Sequence, residues 1–193
     1  EQLSVIHEAA ALMYQTMTKT WETELKPALR TQAGVFICSR DDLNIDQHYA
    51  AREHFQTQLF PILTPLTVDP GHPFPFISNL SLSLAVLLRH PQRGTLHFAR
   101  LKVPMGKGRW LRLPASPGDP TQYFLPIEEL ISHNIGELFR GMDVVSVHAF
   151  RISRNADVRQ DEEEAEDLLA QISEELRERR LAPVVRLEVA KDM

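Results

Sequence analysis

An α+β fold, in which a helical amino-terminal segment is followed by an antiparallel or mixed sheet covered on one face by two helices, is the class this sequence predicts. Three observations predict it. Apolar residues at Leu3, Ile6, Ala10, Met13, Met17, Trp21, Leu25 and Leu29 recur every three or four positions, which lays a stripe along one side of a helix. Residues 81–89 and 95–103 are apolar runs flanking the turn-like His90-Pro91-Gln92-Arg93-Gly94, the pattern of a β-hairpin. Helical periodicities at 127–139 and 161–180 are interleaved with further strand-like runs, and strands that outnumber the helices covering them suit α+β layering.

Taken in order, the first helix is expected over residues 2–30, kinked or ended by Pro27, whose ring clashes with the helical carbonyl four residues back. Its stripe could seat a partner helix, but packing within the chain is the simpler reading because heptads with complementary flanking charges are not sustained. A strand is expected at 35–38. Asp41, Asp42, Asn44 and Asp46 then offer N-cap oxygens for a second helix running to Phe60. Five prolines between Phe60 and Phe76 predict a stiff extended connector. The domain boundary falls there, giving residues 1–60 as the end of a helical domain and 61–193 as an α+β domain. After the hairpin come short strands at 110–113 and 122–125 separated by a loop at 114–120. A helix at 127–139 carries Ile127, Leu130, Ile131, Ile135 and Leu138 and is stopped by Gly141. A strand at 144–152, a long helix at 161–180 and a closing strand at 184–189 complete the chain.

The 193 residues are 43% hydrophobic and 24% charged, near the averages for globular chains, so a disordered or fibrous class is disfavoured. A formal charge of −5 gives no reason to expect nucleic acid as a partner. Charge is segregated, however: residues 78–154 hold ten Lys or Arg against five Asp or Glu, and residues 155–180 hold ten Asp or Glu against four Arg. Cys38 is the single cysteine, which removes a disulfide framework or a Cys-based zinc site and fits a reducing cytoplasm. No apolar run approaches the ~20 residues needed to cross a bilayer, so no integral membrane segment is expected. A start at Glu1 without Met and a stop at Met193 just after an apolar run lead us to expect a piece of a longer chain.

Candidate chemistry is thin. Asp42, Asn44, Asp46 and Glu53 occupy the first, third, fifth and twelfth positions of a possible calcium loop, but Gln47 stands where a Gly should make the turn, and capping already explains Asn44 and Asp46. None of the eight histidines lies in a His-Glu-x-x-His pattern, and His48 and His54, six apart, face different sides of a helix; His72, between Gly71 and Pro73, suits a structural hydrogen bond or an interface. Gly106-Lys107-Gly108-Arg109 superficially matches a phosphate loop, yet no helix follows. The acidic run Asp161-Glu162-Glu163-Glu164, with Glu166 and Asp167, and the arginines Arg177, Arg179 and Arg180 suit the two ends of a solvated helix dipole. The residues therefore assign no catalytic, cofactor-binding or metal-binding side chain.

One long motif is more informative. Residues 60–82, FPILTPLTVDPGHPFPFISNLSL, followed later by Phe150-Arg151-Ile152-Ser153-Arg154-Asn155-Ala156-Asp157, resemble the connector and a second stretch of the head, or middle, domain of bacterial polyphosphate kinases. The resemblance covers nearly the whole chain, including the end of the family's amino-terminal helical domain. It implies a parent enzyme that reversibly moves the terminal phosphate of ATP onto polyphosphate, using magnesium and a phosphohistidine, as a homo-oligomer. The family's catalytic histidines lie in carboxyl-terminal domains that have no counterpart here, so no histidine inherits that role and no cofactor is expected in this chain. Its expected partners are the remaining domains of the parent, with polyphosphate possible. Two rival readings are a free-standing polyanion-binding or assembly module using the basic stretch, and a metal-dependent hydrolase.

Overall fold

The computed structural model describes residues 2–68, 75–104, 106, 108–155 and 182–190. The expected helix at 161–180 with its acidic run and arginines, His72 and Lys107 lie outside the described residues. The chain divides into two compact units, Glu1–Phe55 with Gly108–Leu130, and Gln56–Lys107 with Ile131–Met193. The sequence places a boundary in the connector or a few residues earlier; the units divide at Phe55, and residues 108–130 group with the amino-terminal residues because of how their strands pair.

In the first unit, α1 (Gln2–Thr20) passes through a π-helical turn at Trp21–Leu25 into α2 (Lys26–Ala33). Pro27 does not end the helix. It sits in the first turn of α2 directly after the π-helical turn, whose wider winding makes room for the ring. The stop is Gly34, whose φ of 65° is the left-handed conformation that favours glycine. Then β1 (Val35–Ile37) runs parallel to β6 (Gln122–Pro126), which pairs antiparallel with β5 (Trp110–Leu113). Both β5 and β6 were expected in the carboxyl-terminal sheet; they form a separate mixed sheet instead, because β6 finds its partner some 85 residues upstream, a pairing that local periodicity does not encode. The next helix, α3 (Ile45–His54), is capped by Asn44, whose Oδ1 accepts from the Gln47 amide while Gln47 returns a bond to the Asn44 amide.

The second unit is built on a five-stranded antiparallel sheet with strand order β2-β4-β3-β7-β8. Its members are β2 (Pro65–Val68), β3 (Leu82–Arg89), β4 (Leu96–Lys102), β7 (Asp143–Arg154) and β8 (Val184–Val189). Pro65 opens an edge strand, where a missing amide is tolerated. The expected β3–β4 hairpin forms, closed by His90 N–H to the Thr95 carbonyl at 2.9 Å and by Gly94 at φ 67°. Central β3 is buried on both faces: Leu84, Val86 and Leu88 on one, Ser83 and Ala85 on the other. Burial on both faces explains its change from alternation to a continuous apolar run. Leu84 pairs with Leu101, and Val86 with Ala99, all essentially inaccessible. The helix expected at 127–139 is α4 (Ile127–His133) followed by a 3-10 turn at Ile135–Glu137.

Truncating Leu101 to Ala should lower stability by about 2–5 kcal/mol through lost transfer energy and a residual cavity. The same change at Leu66, 41% exposed, should stay within about 0.5 kcal/mol; urea denaturation of the two variants measures both. Burial also pushes the Cys38 thiol up to about 11 from an ordinary value of 9.0. An unfolded thiol ionises first, so stability should fall as pH rises from about 9 to 11, and Cys38→Ala should remove that part of the pH dependence.

Candidate functional site

Alternation along the strands puts Ala85, Phe98, Phe150, Ile152 and Leu187 on one face of the larger sheet. With Pro75, Phe76, Ile77, Arg154 and Val184 they line a groove of about 620 Å³. Its walls are almost wholly apolar, and Arg154 is the charged residue among those lining it.

Arg154, the last residue of β7, gathers three segments. Its Nε and Nη2 donate to the Ile77 carbonyl at 3.1 and 2.9 Å, and its Nη1 donates to the Ala182 carbonyl at 2.6 Å. The guanidinium lies 4.6 Å from the centroid of the Phe76 ring, a cation–π stack. Its amide donates to Asn79 Oδ1 at 2.8 Å, and the Leu80 amide donates to the Ile152 carbonyl at 2.9 Å. Leu80 itself has φ 57°, an uncommon conformation for a non-glycine residue.

Arg100, on β4, is only 4% exposed. Its Nη1 donates to the Phe76 carbonyl at 3.1 Å and its Nε to Ser83 Oγ at 3.2 Å, while Nη2 is buried without a hydrogen-bond partner. Burial lowers its pKa from the ordinary guanidinium value, because desolvation disfavours the charged form. Both guanidinium forks thus hold the connector onto the sheet by its own carbonyls.

The sequence-level candidates are not brought together. Asp42 Oδ2 accepts from the Ser39 amide and hydroxyl, each at 2.7 Å, bonds that hold its carboxyl below the usual range, and Asn44 caps α3. Arg109 of the glycine-bearing loop pairs with Glu128 at 2.9 Å, and its carbonyl accepts from the Ile127 amide. Among the described residues no three His, Cys, Asp or Glu side chains could hold a metal ion. Nor is any helix there long and apolar enough to cross a membrane. Sequence reasoning singled out the Phe150–Asp157 stretch but missed Arg154 as its centre. The only signal was an arginine on the strand face otherwise filled by Phe150 and Ile152.

A family model described as the polyphosphate kinase middle domain matches residues 46–193. The chain belongs to the polyphosphate kinase family. It is 43% identical to the polyphosphate kinase of Mycobacterium marinum, with all of this chain and 27% of that protein aligned. It is equally similar to that of Mycolicibacterium gilvum, with all of this chain and 26% of that protein aligned. The chain therefore spans about a quarter of the length of these relatives. Among solved structures, the polyphosphate kinase of Porphyromonas gingivalis superposes with a TM-score of 0.72 over 78% of this chain and 25% of that one, at 24% identity; that likeness carries the α+β fold.

For this polyphosphate kinase family chain, the Arg154 clamp gives a direct test. Replacing Arg154 with Ala should cost about 3 kcal/mol, since charge-assisted bonds contribute about 1.5–3 kcal/mol and two carbonyls lose their partner. Arg154→Lys should recover less than half, because a point-charge ammonium cannot reproduce a planar fork. Chemical denaturation of the three proteins reads the order.

Proposed function

We propose that this chain is a non-catalytic part of a polyphosphate kinase, contributing architecture and subunit contacts to an enzyme that reversibly moves the terminal phosphate of ATP onto polyphosphate. The observation that carries this reading is the use of the groove's arginine, Arg154. A ligand-reading arginine presents its fork to the site, whereas Arg154 directs all three of its nitrogens at main-chain carbonyls. Donors committed to the fold hold walls in place.

The described residues do not fit a magnesium site, having no convergent group of three candidate ligands, and no step of phosphoryl transfer is assigned to them. In this proposal ATP, magnesium and the phosphorylated histidine belong to parts of the polypeptide beyond this chain, the whole is a cytoplasmic homo-oligomer, and its other domains are this part's first partners. The polyanion-module reading is weaker for a physical reason. Four of the ten cations in the basic stretch are committed within the fold: Arg100 is buried, Arg109 and Arg151 pair with Glu128 and Glu188, and Arg154 holds carbonyls. Neutralised or desolvated cations supply little counter-ion release.

Incubation of the purified chain with labelled ATP, magnesium and a polyphosphate primer tests the reading. The expected outcome is neither chain extension nor acid-labile protein phosphorylation, while a longer polypeptide containing this chain and its neighbouring domains shows both. Labelling of a histidine in the isolated chain would overturn it.

A further inference from the structure

The groove on the larger sheet is apolar and positively charged at once. Its floor is the cluster of Ile77, Ala85, Phe150 and Ile152, each no more than 6% exposed, with Phe98 packed against them. Phe76 and Leu187 are its more exposed walls, at 51% and 60%. A volume of about 620 Å³ falls within the ~300–1,000 Å³ in which proteins hold small molecules, and such sites are lined mainly by aliphatic and aromatic side chains with few polar groups.

Charge separates this groove from a plain apolar surface. None of the described residues lining it is acidic, and Arg154 is one of them. The fork of Arg154 is occupied by two carbonyls and its face by Phe76. These are neutral groups, so its donors are engaged while its unit charge is left unbalanced. Arg100 stands opposite Ala85 of the groove floor in the strand register and is bonded to the Phe76 carbonyl and the Ser83 hydroxyl, which are neutral again. Among the described residues neither guanidinium pairs with a carboxylate. Withdrawing a cation from water is unfavourable without an opposite charge nearby, and apolar surroundings weaken the screening between charges. Two unbalanced guanidinia at one apolar groove therefore favour an occupant that is itself apolar and negatively charged.

The geometry points to a binding site for a small amphiphilic anion, a single-chain molecule of the medium-chain fatty acid class. Its chain lies on Phe98, Phe150 and Ile152, and its head group lies beside Arg154. Recognition is by charge and apolar area, because the guanidinium fork is already engaged and offers no bidentate pair. The site accordingly accepts anionic heads of different shape and refuses a cationic one. This assignment goes beyond the architectural reading and is independent of it, since the walls that Arg154 holds in place are the walls of the site.

Calorimetric titration below the micelle concentration tests it with decanoate, decanesulfonate and decyltrimethylammonium. The 193-residue chain and a longer polypeptide containing its neighbouring domains are both titrated. The expected result in each is one site that binds the two anions within about threefold of each other and roughly tenfold more tightly than the cation. Leu187→Glu adds a negative charge at an exposed wall position and should weaken decanoate roughly tenfold without weakening the cation. Val145→Glu, at a position 43% exposed and not among the lining residues, should change neither, and circular dichroism verifies that both variants fold. Equal affinity for cation and anions, or decanoate binding that ignores Leu187→Glu, would overturn the proposal. So would binding to the 193-residue chain that disappears in the longer polypeptide, because a protein segment or a second copy would then be the occupant. None of these outcomes bears on the phosphoryl-transfer result.

Discussion

The guanidinium of Arg154 is the constraint on which the second unit most depends. Two residues of connector, Phe76 and Ile77, and the segment leading into the last strand converge on this one side chain at the end of β7, the Ile77 and Ala182 carbonyls coming from positions 77 and 28 residues away in sequence. Main-chain carbonyls in such a place need partners, because a buried polar group without one costs about as much as a lost hydrogen bond. A planar fork can serve two carbonyls at once in fixed geometry, and its flat face can stack on Phe76 at the same time. Beside it, the Asn79 and Leu80 bonds and the backbone bond from Asn155 to Pro183 tie the connector and the approach to β8 to the end of β7.

Arg100 repeats the device one layer deeper and at greater electrostatic cost. Burying a guanidinium is unfavourable unless its donors are matched, and here two of its three nitrogens are matched while Nη2 is not. The small residues around it, Ser83 and Ala85, leave the space that lets so long a side chain lie on the sheet under the connector. The result is a groove whose floor is apolar and whose edge is stiffened by a half-buried guanidinium, that of Arg154, with the buried Arg100 holding the connector nearby. Such an arrangement favours a fixed shape over a responsive one.

How much of this could be read beforehand follows from the range of the interactions. The hairpin of β3 and β4, the Asn44 cap and the strand at 184–189 are encoded within a few residues, by period-2 alternation, a side-chain oxygen and a β-branched run, and all were legible. Pro27, expected to kink or end the helix, does not end it, because the helix widens into a π-helical turn just before it and then runs on to Ala33. The pairing of β6 with β1, and the clamp of Arg154 on Ile77, depend on residues brought together only by the finished chain. No local pattern announces either. The long motif between Phe60 and Leu82 supplied the family, but not which of its residues hold the others.

The same tie also shapes the free edge. Because Arg154 binds the Ala182 carbonyl, and Asn155 the Pro183 carbonyl, the chain enters β8 already fastened to β7, and the register shift between Ser153 and Arg154 absorbs one residue before regular pairing begins. From Arg186 onward the alternation is regular, so the amide and carbonyl of Leu187, which stands between two opposite charges, turn outward, away from β7. Had the shift fallen beyond Glu188 instead, the outward parity would have passed to Arg186 and Glu188, and any partner strand would have met charged residues at its hydrogen-bonded positions. The position of one irregularity, set beside an arginine whose role is to hold two loops, thus determines what kind of strand the sheet can accept at its edge.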